Sequence, residues 1–162
     1  MSGFRHGEGR LGDATLNFTF DGKPMLARAG DTVASALLAN GVEVVGRSFK
    51  YHRPRGVTSS GPEETGALVT IGAGGKADPN ARATMEPITK GLEVFSQNCF
   101  PSPKFDLMSV NGLAGAILPG SLFSAGFYYK TFMWPAALWY KFYEPFIRAA
   151  AGMGVPPKVA DP

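Results

Sequence analysis

The densest group of residues able to do chemistry in this sequence is a short basic run. Four cationic side chains and one imidazole lie close together, and no acidic residue occurs from Val44 to Pro62; the group comprises Arg47, Lys50, His52, Arg53 and Arg55. Pro54 and Gly56 favour an irregular loop rather than a helix face. Planar guanidinium groups suit a cofactor phosphate or the acidic residues of a partner, so we predict contact with an anion. The alternative is a solvated loop whose charges contribute little.

Residues for catalysis or metal binding are few. Cys99 is the single cysteine, which excludes an internal disulfide, a multi-cysteine zinc site and an iron–sulfur cluster held by this chain alone. His6 and His52 are the only histidines, and spacing suggests no Ser or Cys partner for His52. We therefore predict no catalytic and no metal-binding residue. Such cysteine usage is typical of a reduced, cytoplasmic setting.

A second set of side chains is aromatic and points to a protein partner. Twelve of the 19 aromatic residues fall between Phe105 and Phe146. Aromatic residues lie all round this segment, so one amphipathic face cannot bury them against a small domain. Aromatic rings are favoured at interface cores, and we predict that these dock on another polypeptide: Tyr128, Tyr129, Phe132, Trp134, Trp139 and Tyr143. A core-packing hairpin of short helices is the alternative.

The composition of the whole chain excludes several classes of protein. The 162 residues suffice for one domain, or for a small domain with a large appendage. A net charge of +3 makes duplex nucleic acid a poor partner. Residues 1–13 lack the apolar core of a signal peptide. The uncharged stretch 107–129 is long enough for a membrane anchor, but Pro119 and Gly120 interrupt it, so burial in protein is the stronger interpretation.

Local patterns predict the elements that position these groups. Residues 16–20 alternate as a half-buried strand, Asp21-Gly22 suits a type I′ turn, and residues 23–28 form the return strand. Asp31 is the expected N-cap of a helix over 32–39. Further strands are expected at 42–45 and 67–71, a loop or hairpin tip at 72–83, and a strand or short helix within 85–95. The order predicts an α+β fold of the β-grasp type, with one helix across a mixed sheet.

The same pass along the chain predicts four segments. These are a flexible N-terminus (1–13), the β-grasp domain (14–100), an aromatic and mostly helical appendage (101–152) and a proline-rich tail (153–162). Pro101 and Pro103 mark the boundary of the domain. Pro135 suits the first turn of a helix, and Pro145 is expected to kink or end it.

Long strings of residues resemble one protein family. They are GDTVASALLANGV (30–42), GRSFKYHRPRG (46–56), GFYYKTFMWP (126–135) and YEPFIR (143–148). All four resemble the N-terminal region of the alpha subunit of heterotetrameric sarcosine oxidase, and the match runs from about residue 16 to 152. The resemblance implies a ferredoxin-type β-grasp module. Cluster-binding relatives carry a cysteine-rich loop after the arginine–proline–arginine–glycine string, whereas the corresponding loop here, 57–69, has no cysteine. Oxygen ligands suit a cluster poorly, so we expect none.

The resemblance also implies a function for the complex to which such a subunit belongs. That enzyme oxidatively demethylates sarcosine to glycine, yielding hydrogen peroxide with formaldehyde or methylene-tetrahydrofolate, and uses FAD, FMN, NAD and tetrahydrofolate. We expect this chain to support assembly and the flavin environment without being catalytic itself. Its partners would be the remainder of the alpha subunit, the beta subunit and the smaller subunits. The alternative is a small ferredoxin-like electron-transfer adaptor of a related amine, opine or proline oxidase.

Overall fold

A computed structural model of the chain describes residues 11–12, 14–49, 51–110 and 136–152. These residues contain seven strands: β1 (Thr15–Phe20), β2 (Lys23–Arg28), β3 (Gly46–Arg47), β4 (Pro54–Arg55), β5 (Leu68–Ile71), β6 (Asp78–Arg82) and β7 (Glu93–Phe95). Helix α1 spans Val33–Ala39, and short 3-10 helices occupy Gly61–Glu63, Gly74–Lys76 and Leu107–Ser109.

The first hairpin forms where the sequence predicts it. Strands β1 and β2 pair in antiparallel register, with Phe20 opposite Lys23 across the turn. Asp21 and Gly22 both have positive φ, 49° and 74°, as a type I′ turn requires. The Asp21 carboxylate also accepts a hydrogen bond from the backbone N–H of Ser96 at 2.8 Å, so this turn is fixed to the chain beyond β7.

Helix α1 begins one residue later than predicted, because Thr32 rather than Asp31 is its N-cap. The Thr32 hydroxyl accepts from the backbone N–H of Ser35, and the Ser35 hydroxyl accepts in return from the N–H of Thr32, which makes a capping box. Asp31 supports this arrangement from outside the helix. Its carboxylate accepts from the Ser35 hydroxyl at 2.7 Å and from the N–H of Arg28 at 2.8 Å.

A five-stranded mixed sheet carries the domain, in the order β2-β1-β7-β5-β6. β1 and β7 are parallel and the other neighbours are antiparallel, so the predicted α+β fold with a helix and a mixed sheet is confirmed. The expected strand at 42–45 is wrong, since those residues have no strand structure. Within 72–83 the chain makes β6 instead of a mere loop, and within 85–95 only β7 is regular.

The core lies between α1 and this sheet. Leu37 and Val33 of the helix are fully buried in the same cluster as Phe18 from β1 and Val94 from β7. Complete burial of a Leu or Phe side chain stabilises a fold by about 1.5–3 kcal/mol. Pro79 can belong to β6 because that strand lies at the edge of the sheet, where a missing N–H breaks no interior ladder.

A helical segment follows the undescribed residues 111–135. It is α-helical over Ala136–Leu138, π-helical over Trp139–Tyr143 and α-helical over Glu144–Ala150, and we call the whole of it α2. The wide turn ends just before Pro145, and the backbone N–H of Glu144 bonds to the carbonyl of Trp139. The helix thus continues past Pro145 rather than ending there. A helical C-terminal part agrees with the predicted fold; Pro135 lies outside the described residues.

The end of α2 contacts the edge strand of the sheet. The Asn80 side-chain amide donates to the carbonyl of Ala151 at 3.0 Å. Gly152, with φ 66°, lies so near Pro79 that an added Cβ would meet the proline ring at 2.8 Å. A larger residue at position 152 would therefore separate α2 from β6.

Candidate functional site

The basic run folds as a miniature hairpin rather than as the irregular loop predicted. β3 and β4 pair with Arg47 opposite Pro54, and the chain reverses between Ser48 and Arg53. The N–H of Ser48 bonds to the carbonyl of Arg53 at 2.9 Å, and the N–H of His52 bonds to the carbonyl of Ser48 at 3.0 Å. His52 occupies the left-handed region with φ 51°, which lets the chain turn back so tightly.

Two members of the predicted anion site hold the hairpin on the rest of the domain. The Arg47 guanidinium donates from Nε to the carbonyl of Pro103 and from Nη1 to the carbonyl of His52, both at 2.8 Å. His52 is 4% exposed, and its Nδ1 lies 2.9 Å from a carboxylate oxygen of Asp106 and 3.0 Å from the carbonyl of Asn98. Since the Asn98 carbonyl only accepts, Nδ1 carries the hydrogen. Burial leaves this imidazole almost no surface for an external anion.

The other predicted members lie further out. Arg53 and Arg55 are both exposed, and the Arg53 guanidinium carbon lies 4.9 Å from the centroid of the Tyr51 ring in a cation–π contact. Lys50 lies outside the described residues. The hairpin thus has one anchored arginine, Arg47, and two that face solvent.

A groove of about 650 Å³ runs beside this hairpin. Arg47 and Arg55 are among the residues that line it, together with Asn80, Gln97 and Asn98. No acidic residue is among the lining residues. Two guanidinium groups and no carboxylate match the chemistry of a phosphate or carboxylate ligand.

The next loop folds round one buried carboxylate, a feature that the sequence analysis missed. Glu64 is 0% exposed, and backbone N–H groups surround both of its oxygens. One oxygen accepts from Thr58 and Ser59, each at 2.7 Å, and the other accepts from Gly66 and from Ala67 at 3.0 Å. A buried charge is stable only when it is paired or fully hydrogen-bonded, and this one is.

The electrostatics of Glu64 follow from these contacts. Burial by itself raises the pKa of a carboxyl, but the four backbone donors favour the charged form and lower the pKa of Glu64 from 4.5 to about 2. Glu64 is therefore ionised at neutral pH. The small residues around Glu64 were the one indication of this anion site in the sequence, because short side chains let backbone N–H groups converge on one anion.

The donor set does not fit an iron–sulfur cluster. A [2Fe–2S] cluster needs four thiolates, or histidine in place of two of them. The sequence holds one cysteine, Cys99, whose thiol pKa is raised by burial, and its sulfur lies 3.2 Å from the hydroxyl of Ser96. Among the described residues no three His, Cys, Asp or Glu side chains gather in a way that could hold a metal ion.

The aromatic residues predicted to dock on a partner are described only in part. Trp139 and Tyr143 lie in the π-helical turn of α2 and are half-buried. Tyr128, Tyr129, Phe132 and Trp134 lie outside the described residues. The rings most exposed on α2 are others, which the prediction did not single out: Tyr140 (72%), Phe142 (64%) and Phe146 (73%).

The suggested membrane span can be checked only at its beginning. Residues 107–110 are described and residues 111–129 are not. Within the described ranges, no helix combines the length and the apolar character needed to cross a bilayer.

Comparison with known proteins gives the family to which this fold belongs. Residues 13–99 match the family described as the 2Fe-2S iron–sulfur cluster binding domain, and the chain belongs to that family. It is similar to sarcosine oxidase subunit alpha of Rhizobium meliloti (strain 1021), with 60% identity over 147 residues, which are 91% of this chain and 14% of the relative. The predicted family resemblance is thereby confirmed.

Two further relatives carry the same description. Sarcosine oxidase subunit alpha of Corynebacterium sp. (strain U-96) is 48% identical over 49% of this chain and 9% of its own length. The corresponding protein of Corynebacterium sp. (strain P-1) is 49% identical over 48% of this chain and 8% of its own length. The chain thus spans about a seventh or less of the length of these relatives.

Proposed function

We propose that this chain serves as a cluster-free, ferredoxin-like module of a sarcosine oxidase alpha subunit. In that role it supports subunit assembly and the flavin environment for the oxidative demethylation of sarcosine to glycine, in the cytoplasm, and does no chemistry itself. The similarity to a sarcosine oxidase subunit over 91% of the chain carries the proposal. FAD, FMN, NAD and tetrahydrofolate would belong to the assembled enzyme. Its products would be hydrogen peroxide with formaldehyde or methylene-tetrahydrofolate.

The groove beside the β3–β4 hairpin is the proposed contact with flavin. Arg55 lines it together with Arg47, whose guanidinium is oriented by two carbonyls, and Arg53 lies exposed on the same hairpin. Preorganised guanidinium groups bind a phosphate by charge-assisted hydrogen bonds. We assign the FMN phosphate to Arg47 and Arg55, with Arg53 as a further positive charge on the same hairpin. Lys50, which the sequence groups with them, lies outside the described residues.

Substitution in the assembled oxidase tests this contact. Arg53→Ala combined with Arg55→Ala should lower the FMN content per assembled enzyme, because two positive charges beside the groove are lost. Flavin released by denaturation and separated chromatographically gives the ratio of FMN to protein. Arg82→Ala is the matched control, since Arg82 is an exposed arginine of β6 that does not line the groove. Equal FMN content in all three proteins would remove the assignment.

The exposed face of α2 is the proposed contact with other parts of the enzyme. Leu138, Phe142 and Phe146 follow one another at intervals of four residues, and each is exposed. An aromatic stripe of this kind is typical of a helix that lies in a groove of a partner. We propose that the half-buried Trp139 and Tyr143, and the predicted rings at 128, 129, 132 and 134, belong to the same docking segment. Its partners would be the rest of the alpha subunit, the beta subunit and the smaller subunits.

A second candidate function is a ferredoxin-like electron-transfer adaptor. The family description favours it, since members of the family bind a [2Fe–2S] cluster. The absence of cysteine from residues 57–69 opposes it. Iron and acid-labile sulfide analysis of the purified chain, with a visible spectrum, separates the two functions. Stoichiometric iron with visible absorption would favour the adaptor over the assembly module.

A further inference from the structure

We propose that the carboxylate of Glu64 has taken the place of the iron–sulfur cluster, as a permanent internal anion round which the loop from Val57 to Ala67 closes. Converging backbone N–H groups form anion-binding concavities at many iron–sulfur sites. In this loop such N–H groups converge on a carboxylate of the chain itself. The inference concerns this loop alone and does not depend on the subunit role proposed above.

The spacing of the residues round the carboxylate supports this inference. Plant-type ferredoxins hold their cluster with a C-x4-C-x2-C sequence in one loop and a fourth cysteine further on. Ser59, Glu64 and Ala67 have that same spacing. The carboxylate at the middle position accepts hydrogen bonds from the backbone N–H groups of the other two, at 2.7 Å and 3.0 Å. Glu64 thus binds to the same two positions whose side chains would hold iron in such a ferredoxin.

The loop is also closed from outside, as a cluster loop is by its fourth ligand. The Thr84 hydroxyl donates to the carbonyl of Gly61 at 2.7 Å, and the backbone N–H of Ala83 donates to the carbonyl of Ala67 at 3.0 Å. Gly66 shows how tightly the loop is wound, because an added Cβ would lie 2.7 Å from the carbonyl of Gly56. A side chain at position 66 would therefore clash with the backbone on the facing side of the loop.

Both oxygens of the carboxylate are required by this arrangement. Thr58 and Ser59 donate to one oxygen, and Gly66 and Ala67 donate to the other. A glutamine amide at position 64 offers one oxygen and one NH₂ group, so either orientation places two donors against two donors. Glu64→Gln removes the negative charge without changing the size of the side chain. Because buried donors without acceptors are costly, this substitution should destabilise the loop.

The pH dependence has a definite sign. The pKa of Glu64 is about 2 in the folded chain and 4.5 for an unperturbed glutamate. Its contribution to stability is therefore full above about pH 4.5 and is lost as the pH falls through about 2. The difference corresponds to a change on the order of a hundredfold in the folding equilibrium constant.

The test compares Glu64→Gln with Glu63→Gln in the full chain, the latter being the exposed neighbour of the same charge. Urea unfolding is measured from pH 2 to pH 7. At pH 7 the folding constant should fall on the order of a hundredfold or more for Glu64→Gln and stay within about twofold for Glu63→Gln. The difference between wild type and Glu64→Gln should then shrink below pH 4.5. Equal stability of the two variants at pH 7, or a difference that does not change with pH, would overturn the proposal.

If Glu64→Gln fails to fold, hydrogen exchange of the wild-type chain tests whether the loop closes round the Glu64 carboxylate. The amides of Thr58, Ser59, Gly66 and Ala67 should be protected at pH 5 and lose protection as the pH approaches 2, before the amides of β1 and β2 do. Exchange at the rate of an unstructured loop at pH 5 would contradict the proposal. Incubation of the wild-type chain with ferrous iron and sulfide gives an independent check, because stoichiometric cluster formation would also contradict it.

Discussion

At the scale of single residues, two buried carboxylates organise the irregular half of the domain. Glu64 closes its own loop, whereas Asp106 joins separate segments of the chain. One Asp106 oxygen accepts from the backbone N–H groups of Phe100 and Met108, each at 3.0 Å, and the other accepts from His52 Nδ1. The imidazole Nδ1–H of His52 also lies within hydrogen-bond distance of the carbonyl of Asn98. The tip of the β3–β4 hairpin is therefore fixed to residues 98–108. The basic hairpin is therefore held rigidly beside the groove.

Removal of the Asp106 carboxylate tests this anchoring. Asp106→Ala should lower the free energy of unfolding by about 2–4 kcal/mol, because the backbone N–H groups of Phe100 and Met108 lose their acceptor. His52 Nδ1 would keep only the carbonyl of Asn98. Urea denaturation measures the change. Asp78→Ala is the control, since Asp78 is an exposed acid at the sheet edge, and it should stay within about 0.5 kcal/mol. A loss no larger for Asp106→Ala than for Asp78→Ala would show that the hairpin is held by other contacts.

At the scale of elements, local chemistry was readable from the sequence and long-range pairing was not. The alternation of residues 16–20, the Asp21-Gly22 turn and the stripe of α1 each lie within a few positions, so the hairpin and the helix were predicted correctly. β6 escaped prediction because Asp78, Pro79 and Asn80 are turn residues by propensity. They belong to a strand only because Asp78 pairs with Ile71 of β5, while Pro79 and Asn80 lie in an irregularity of the register at the edge of the sheet.

The candidate site shows the same division between local and long-range information. The sequence identifies Arg53 and Arg55 as positive charges. Because arginine side chains are normally exposed, their exposure could also be predicted. The burial of His52 could not, because its acceptor Asp106 lies 54 residues away in the sequence. Glu64 was passed over for a related reason: a glutamate is normally solvated, and only the folded loop shows four N–H groups converging on it.

The capping box of α1 yields a prediction for this element. Thr32→Ala removes the acceptor for the N–H of Ser35 and should cost about 1 kcal/mol of unfolding free energy, measured by urea denaturation. Thr32→Ser keeps the hydroxyl and should restore most of the stability. If the alanine and serine variants were equally stable, the hydroxyl would have no part in starting the helix.

At the scale of the whole molecule, α2 presents apolar surface that the described domain does not cover. Phe142 and Phe146 are more than half exposed, whereas the C-terminal end of the same helix is tied to Asn80 and Pro79. One end of α2 therefore contacts the domain while its aromatic stripe faces outward. This is the arrangement expected of a segment that completes its packing within a larger assembly.

Co-purification tests the role of the stripe. Phe142→Asp combined with Phe146→Asp should reduce recovery of the other oxidase subunits with the tagged chain at least tenfold, because charges replace the rings of a hydrophobic contact. Quantitative mass spectrometry of the purified complex measures the recovery. Arg148→Ala is the control on the same helix, since its pair with Glu144 is exposed and contributes little. Unchanged recovery for the aspartate variant would place the docking surface elsewhere.

The loop round Glu64 also changes what the chain needs in order to mature. A scaffold completed by oxygen and nitrogen atoms of its own polypeptide requires no iron delivery and no sulfur donor. On the proposal made for Glu64, a chelator that strips iron from a cluster-binding relative should therefore leave the stability of this loop unchanged.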